Sequence, residues 1–314
     1  MSIMIDCAPM EGLTGAAFRR CHSAFFPGVD RYYAPFVSPG ADRRFTPREL
    51  RELLPENNRG FVLVPQILTK NSDDFLWCAG ELKAMGYDCV NLNAGCPSGT
   101  VTAKGKGAGI LADIGALDRF LYEIFEKAPC RISVKTRLGI RDPEEFGAIM
   151  ETYNKYPIDE LIIHPRVRDD FYRENVRREH FEKACNSASM PLTYNGGIEN
   201  PGDFAETTER WPGIRAVMLG QGLIADPFLA SKLKGIGCGH PGIIREFHDA
   251  LFEECARDFQ SRNNAVQRMK ELWSYLGKSF PGREKQLKKI KKARTAEDYL
   301  SAAGEILSYC EEQP

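Results

Sequence analysis

The sequence predicts a (β/α)8 barrel followed by a small all-helical domain. Eight short apolar stretches, each followed by a segment with helical periodicity, fill roughly 230 residues. Polar residues or glycines follow nearly every stretch, as expected at the carboxyl rim where barrel active sites are built. No strand pattern occurs after residue 240. We therefore expect a barrel over residues 1–239 and a helical domain over 240–314.

A doubly wound open sheet is the alternative fold. It is disfavoured because no G-x-G-x-x-G follows the first predicted strand, residues 3–8. Thr14 is expected to cap a helix that runs to about Ser23. The second strand is predicted at 31–36 and is followed by a helix at 47–54.

The third predicted strand, residues 61–66, is almost continuously apolar, which is typical of a parallel strand covered on both faces. Asn71 or Ser72 is expected to begin the helix after it. Further strands are predicted at 89–93, 132–135, 161–164, 191–195 and 216–220. They complete the eight that a closed barrel requires.

Composition narrows the class of protein. The chain has 314 residues, 43% hydrophobic and 27% charged, which describes an ordinary globular protein. It shows no long apolar run and no signal peptide, so we expect a cytoplasmic protein without membrane association. Its ten cysteines form no C-x-x-C pair, and no two of its five histidines are four residues apart. We accordingly expect reduced thiols, no metal and a monomer.

Residues at the predicted strand ends form a candidate cofactor site. Glycines after the seventh and eighth strands suit a phosphate, which binds bare backbone N–H groups. Lys135 ends an apolar strand and needs an anionic partner, such as the N1–C2=O side of a reduced flavin. Gln66 and Asn195 can each donate and accept at the edge of an isoalloxazine ring. Each residue also has a structural explanation: Asn195-Gly196 as a turn, Lys135 as a lysine that reaches water, and His164 as the cap of a strand end. Their occurrence on consecutive strand ends favours a cofactor site.

The stretch from Cys89 to Gly109 is a candidate catalytic segment. A short strand ends at Asn93, a turn follows at Gly95-Cys96-Pro97, and a glycine- and lysine-rich loop comes next. A thiol at a strand end beside a cationic loop is suited to chemistry. The alternative is that Cys96 is one more small buried hydrophobe.

The helical segment carries a concentrated positive charge. Between Arg262 and Arg294 there are eleven Lys or Arg and two Glu, a window of +9 in a chain whose net charge is −1. Within it, four lysines are spaced to line one side of a helix, namely Lys288, Lys289, Lys291 and Lys292. The aromatic residues Trp273, Tyr275 and Phe280 lie just ahead and can stack or pack. RNA binding is favoured over a merely solvated helix face.

The chain resembles the tRNA-dihydrouridine synthase family along nearly its whole length. The motif Asn93-x-Gly95-Cys96-Pro97, with the loop that ends Gly107-Ala108-Gly109, is similar to that family's signature. Four further matches are Ala8-Pro9-Met10, Gln66, Lys135-x-Arg137-x-Gly139 and His164-x-Arg166.

This resemblance implies an FMN-binding barrel with a helical tRNA-binding domain, which reduces a uridine to 5,6-dihydrouridine. It implies hydride transfer from reduced FMN to C6, proton transfer from Cys96 to C5, and NADPH or NADH as reductant. The uridine must be flipped out, because neither carbon is reachable inside a stack. The strand ends and this resemblance together predict FMN contacts at Pro9, Met10, Glu11, Gln66, Lys135, His164, Asn195, Gly196, Gly197, Gly220 and Gln221. The substrate contacts are Asn93, Arg137, Arg166, Lys288, Lys289, Lys291 and Lys292.

The chain departs from the family pattern at three places. Gly197 stands where an acidic residue is usual, Gln221 where an arginine is usual, and Pro165-Arg166-Val167 replaces a small residue, arginine and threonine. Two alternatives therefore stay open. One is an FMN barrel that acts on a free small molecule, and the other is an RNA-binding protein whose flavin site has decayed.

Overall fold

The parallel sheet closes into a barrel. The structure is a computed structural model and describes residues 3–40, 42–173, 175–237, 239–240 and 242–311. Its strands are β1 Met4–Cys7, β2 Arg31–Tyr33, β3 Val62–Val64, β4 Gln66–Ile67, β5 Cys89–Ala94, β6 Arg131–Arg137, β7 Leu161–His164, β8 Leu192–Asn195 and β9 Ala216–Leu219. They pair in the order β3-β2-β1-β9-β8-β7-β6-β5-β4.

β3 and β4 are two halves of one strand. Only Pro65 separates them, and proline has no N–H to donate to a neighbouring strand. β3 pairs with β2, and β4 pairs with β5. The Pro65 carbonyl still accepts a hydrogen bond from the Asn91 N–H at 2.8 Å. The ends of the sheet thus meet at Pro65, and the predicted eight-stranded barrel is confirmed, with its third strand interrupted.

Helices alternate with the strands and cover the barrel. They are α1 Ala16–Phe25, α2 Pro47–Leu53, α3 Ser72–Ala84, α4 Gly99–Thr102, α5 Ile114–Lys127, α6 Phe146–Tyr153, α7 Arg178–Ser187, α8 Pro201–Arg210, α9 Gln221–Ala225 and α10 Leu229–Leu233. Asn71 caps α3 as predicted, because its side chain accepts from the Asp74 N–H at 2.9 Å.

The prediction that Thr14 caps α1 is wrong. The residue before α1 is Gly15, and no side chain caps that helix. The Thr14 hydroxyl instead accepts from the Met10 N–H at 2.8 Å and donates to the Ala8 carbonyl at 3.0 Å. Thr14 therefore fixes the turn at the end of β1, where Pro9 and Met10 enter the rim.

The barrel interior is layered. At the amino end, Arg31 lies between the buried carboxylates of Asp6 and Glu160. The middle layer is apolar and consists of Ala8, Tyr33, Val64, Ile162 and Met218. The carboxyl rim above it is polar. Such layers of side chains from alternate strands are the normal filling of a (β/α)8 barrel.

Four helices form the C-terminal part of the chain: α11 Ile243–Asp258, α12 Arg262–Leu276, α13 Glu284–Lys292 and α14 Ala296–Glu311. α11 packs against α1, with the rings of Phe247 and Phe18 6.1 Å apart. Arg268 of α12 donates to the Gly12 carbonyl in the loop after β1. The helical group is therefore seated beside the carboxyl rim.

The aromatic residues of this helical group have different roles. Trp273 is 3% exposed, and its indole N–H donates to the Tyr299 hydroxyl at 2.9 Å, so it packs in the core instead of offering a stacking surface. Phe259, which helical periodicity places with the buried face of α11, is 40% exposed. It lies just past the last residue of that helix, Asp258.

Among the described residues, no helix has both the length and the apolar character that crossing a bilayer requires.

Candidate active site

Two adjoining cavities open at the carboxyl rim of the barrel. The glycine-side cavity is bounded by the loops after β8 and β9, and the thiol-side cavity by the turn after β5. The two form one cleft, since both are lined by Pro9, Met10, Lys135, His164, Tyr172 and Gln221.

Most of the predicted site residues meet in this cleft. The glycine-side cavity adds Arg166, Asn195, Gly196, Gly197 and Gly220. The thiol-side cavity adds Glu11, Asn93, Cys96 and Arg137. Gln66 does not line either cavity; it is fully buried, donates to Asn91 Oδ1 at 2.7 Å and accepts from Asn93 Nδ2 at 2.8 Å. Gln66 thus supports Asn93 from the layer below.

The backbone holds Cys96 in a fixed turn. Asn93 Oδ1 accepts hydrogen bonds from the N–H groups of Gly95 and Cys96, at 3.1 and 2.9 Å. The Ala108 N–H donates to the Cys96 carbonyl at 3.0 Å. Gly107 has φ +58°, and a Cβ there would lie 2.8 Å from the same carbonyl oxygen. Only glycine fits this approach of the loop to the turn.

The Cys96 thiol is suited to giving up a proton. Burial raises its pKa, and the nearby Glu11 carboxylate acts in the same direction, while Arg137 and Lys135 oppose them. A thiol whose pKa lies above its ordinary value keeps its proton at neutral pH. Burial thus favours the protonated thiol over the thiolate at Cys96.

Lys135 is a cation without an anion. It stands beside Asn93 in the β5–β6 register, and its Nζ has no hydrogen bond or ion pair with any described residue. Burial, and then the positive charge of Arg137, lower its pKa to about 7. A bound anion would restore the charged form of the amine. A lysine without an anionic partner at this position suits the N1–C2=O side of a reduced flavin, which is anionic.

His164 is held neutral by its surroundings. Arg166 Nη1 donates to His164 Nε2 at 2.6 Å, so the ring proton is on Nδ1. Burial and the charges of Arg137, Lys135 and Arg166 keep the pKa of His164 well below its ordinary value. The neutral ring offers one N–H donor beside a cationic group.

The glycine-side cavity has an open backbone wall. At Gly196, φ is +133°, and a Cβ would lie 2.9 Å from Val176 and 3.0 Å from the His164 ring. At Gly222, a Cβ would lie 2.5 Å from the Ile198 carbonyl oxygen. Side chains are excluded at both points, so the backbone itself faces the cavity. Together with Lys135, this wall fits a phosphate-bearing cofactor.

Arg137 makes bonds that bear on its predicted substrate-binding role. It is 1% exposed, and its guanidinium donates to three carbonyl oxygens: Gly95 at 3.0 Å, Val167 at 2.8 Å and Phe171 at 2.7 Å. These bonds join the turn that carries Cys96 to the loop after β7. Phe171 itself has φ +51°, a backbone conformation that a non-glycine residue adopts only when its surroundings hold it there.

Sequence reasoning missed two tyrosines. Tyr172 lines both cavities, with its ring 5.3 Å from the Arg137 guanidinium carbon, and Tyr275 of α12 lines the thiol-side cavity. Neither follows a predicted strand. In the sequence, Tyr275 is only an aromatic residue ahead of the basic helix. Its position in the cleft depends on how α12 packs against the barrel.

The predicted RNA-binding lysines lie on α13. Lys288, Lys289, Lys291 and Lys292 are exposed, and Ile290 is buried on the opposite face. Lys289 is paired with Glu305 at 2.7 Å, whereas the other three form no ion pair among the described residues. The helix thus presents a cationic face, with one of its four charges partly compensated.

A (β/α)8 barrel with a buried thiol, a lysine without an anionic partner among the described residues and a glycine-lined cavity on one rim is built as a cofactor-dependent oxidoreductase. The chain belongs to the dihydrouridine synthase family, since the family model described as "Dihydrouridine synthase (Dus)" matches residues 6–308. It is 26% identical over 286 residues to a tRNA-dihydrouridine(16) synthase of Cupriavidus necator, covering 87% of this chain and 88% of that one.

Two further relatives carry the same kind of name. A tRNA-dihydrouridine(16) synthase of Neisseria meningitidis is 24% identical, covering 94% of this chain and 92% of the relative. A protein named probable tRNA-dihydrouridine synthase, from Staphylococcus aureus, is 29% identical over 72% of this chain and 70% of the relative. Among solved structures, morphinone reductase superposes with a TM-score of 0.55 at 12% identity, covering 76% of this chain and 87% of that one. This last likeness concerns the fold.

Proposed function

We propose that the protein reduces a uridine in tRNA to 5,6-dihydrouridine, with FMN as cofactor and a nicotinamide dinucleotide as reductant. The observation that carries the proposal is that the Cys96 thiol and Lys135, which has no ion pair among the described residues, line one cleft in a chain of the dihydrouridine synthase family. The names of the relatives supply tRNA as the substrate class.

FMN would occupy the glycine-side cavity and extend into the thiol-side cavity. The backbone around Gly196, Gly197, Gly220 and Gln221 would receive its phosphate, and Lys135 the anionic side of its ring. The neutral His164 would donate from Nδ1, and Arg166, held against that ring, would add positive charge. Bound there, the reduced flavin supplies the hydride for C6 of the uracil.

Cys96 would deliver the proton to C5. Burial keeps that proton on sulfur until negative charge develops on the base. No other group has to protonate the thiol first. Asn93, through its bonds to the Gly95 and Cys96 N–H groups, fixes where the thiol points. Arg137 fixes the same turn from the side of the loop after β7. The thiolate left after transfer would be stabilised by Lys135 and Arg137, the cations that act on its pKa.

The RNA would approach across the rim and α13. An extruded base enters a cleft whose wall includes Tyr172 and Tyr275, and aromatic rings suit contact with a base. The exposed lysines of α13 would contact phosphates without reading sequence.

The test is a reduction assay on unmodified tRNA with the purified protein. Flavin absorbance, NADPH-dependent gain of two hydrogens per modified uridine, and no reaction with free uridine would support the proposal. NADH is compared in parallel. Since two of the relatives are named for position 16, that position is mapped first. Reduction of free uridine but not tRNA would favour the small-molecule alternative, and a protein without flavin would favour the decayed site.

A further inference from the structure

Three lysines outside α13 form a cluster on the rim beside the catalytic turn. Lys70 follows β4, and Lys104 and Lys106 lie in the loop between α4 and the short helical segment Gly107–Ala112. Gly105 lies between the latter two, and a Cβ placed there would be 3.4 Å from Lys70 Nζ. The Lys70 ammonium therefore rests against the backbone that joins Lys104 to Lys106. We refer to Lys70, Lys104 and Lys106 as the rim lysines.

The rim lysines have no negative partner. None forms an ion pair with a carboxylate among the described residues. Lys106 Nζ donates to a neutral group, Ser38 Oγ, at 2.9 Å. Other lysines of the barrel are paired with carboxylates, for example Lys83 with Asp88 at 2.6 Å and Lys155 with Asp118 at 3.1 Å. Three like charges gathered without a counterion repel one another, and an anion between them would remove that cost.

The cluster is coupled directly to the proton donor. Gly107 and Ala108 follow Lys106 and pack on the Cys96 carbonyl, with the Ala108 N–H donating to it at 3.0 Å. The Lys106 ammonium is itself anchored, because the Ser38 hydroxyl it contacts donates to the Leu68 carbonyl at 3.0 Å. An anion at the rim lysines thus lies on the cysteine side of the cleft, away from the glycine-side cavity.

We propose that the rim lysines bind backbone phosphates of the RNA strand next to the nucleotide whose base reaches Cys96. This rests on the proposed function and deepens it by giving the RNA a second contact surface, separate from α13. A strand whose base is extruded into the cleft must pass over the rim, where its phosphates meet uncompensated ammonium groups. Lysine, as a compact point charge with three donors, suits phosphates without selecting a base.

The experiment compares two triple variants of the full-length flavoprotein. The first replaces the rim lysines, Lys70→Gln, Lys104→Gln and Lys106→Gln; glutamine removes the charge and keeps a polar N–H donor. The control replaces Lys83, Lys127 and Lys155 with glutamine. These lie at the C-terminal ends of barrel helices, on the opposite end of the barrel, and the control removes the same total charge.

RNA affinity is measured against salt concentration for the wild type and both variants. For each phosphate contact that is lost, the slope of log affinity against log salt should become shallower by about 0.7–0.9. With three lysines replaced, the slope of the rim variant should be shallower by roughly 2–3. The control should keep the wild-type slope, and the loss in the rim variant should be similar for tRNAs of different sequence. At saturating tRNA, turnover should stay within about threefold of wild type, since the loss lies in binding.

Three outcomes would overturn the proposal. A wild-type slope in the rim variant would mean that the lysines contact solvent only. A raised KM for NADPH in flavin reduction, with RNA binding unchanged, would assign the cluster to phosphates of the dinucleotide instead. A wild-type protein that bound no RNA would remove the proposed function together with this surface, and so is distinguishable from the first outcome.

Discussion

At Cys96, burial raises the pKa of the thiol and backbone hydrogen bonds fix the turn that carries it. The prediction from sequence rested on a thiol after a strand end, and the structure adds the reason for its protonation, which is burial. Lys135 was predictable in the same way, because a lone cation ended an apolar strand. Tyr172 was not, because its contact with the cleft depends on a loop held by two hydrogen bonds from Arg137 of another strand.

The first prediction concerns Cys96→Ala. Removing the general acid should slow dihydrouridine formation by about 10²–10⁴-fold, while flavin reduction by NADPH proceeds nearly as in wild type, because that half-reaction needs no acid at C5. Single-turnover assays of the two half-reactions separate the effects. Cys130→Ala, a partly exposed thiol that precedes β6 at the opposite end of the barrel, is the control. Wild-type turnover of tRNA by Cys96→Ala would assign the proton to another group.

The second prediction concerns Arg137→Lys, which keeps a positive charge but cannot reach three carbonyls at once. We expect a loss of about tenfold or more in turnover, a changed rate of Cys96 alkylation by iodoacetamide, and an unchanged Kd for tRNA. These results would make Arg137 a positioning residue. A raised Kd with wild-type alkylation kinetics would instead support the substrate contact that the sequence predicts.

At the scale of elements, the sequence predicted what depends on local pattern. All eight strands were found at their apolar stretches, and the cationic face of α13 follows from spacing. The break at Pro65 was not predicted, although proline cannot donate to a ladder and the residue was visible in the run. The predicted cap at Thr14 was wrong because the hydroxyl of a threonine ahead of a helix can bond to the preceding turn instead of to the N–H groups of the helix.

The third prediction distinguishes the lysines of α13 from one another. Replacing Lys288, Lys291 and Lys292 with glutamine should lower the salt slope of RNA binding by about 0.7–0.9 for each lost phosphate contact. Lys289→Gln should have a smaller effect, because Glu305 already compensates that charge in the free protein. Flavin reduction should be unaffected in both. Equal slopes in the triple variant and the wild type would mean that α13 is a solvated surface.

At the scale of the whole molecule, the interior of the barrel holds different charged groups at its two ends. The rim gathers cations without partners, Lys135 and the rim lysines among them, and so is suited to anionic ligands. Inside the amino end, two buried carboxylates surround one arginine. Arg31 bonds Asp6 at 2.9 and 2.6 Å and Glu160 at 2.7 and 2.8 Å, all within the closed interior. No local pattern in the sequence indicates this cluster, because its three members come from β1, β2 and the segment before β7.

The last prediction follows from that cluster. One arginine cannot neutralise two buried carboxylates, and burial raises the pKa of Asp6 to about 7. In the unfolded chain the same group has a pKa of about 3.9, so the folded state binds a proton that the unfolded state releases between these values. The contribution of Asp6 to stability is therefore fully present below about pH 4 and is lost as the pH rises towards 7. The decrease is at most about 1.4 kcal/mol per pH unit.

Asp6→Asn should remove this dependence, because an amide resembles the protonated acid in shape and carries no charge at any pH. Urea unfolding of both proteins at pH 5, 6, 7 and 8, with equal flavin content, measures it. The wild type should lose stability relative to the variant from pH 5 to 7, and the difference should level off above pH 7, where Asp6 is ionised in both states. A constant difference across the range would mean that Asp6 stays ionised beside Arg31.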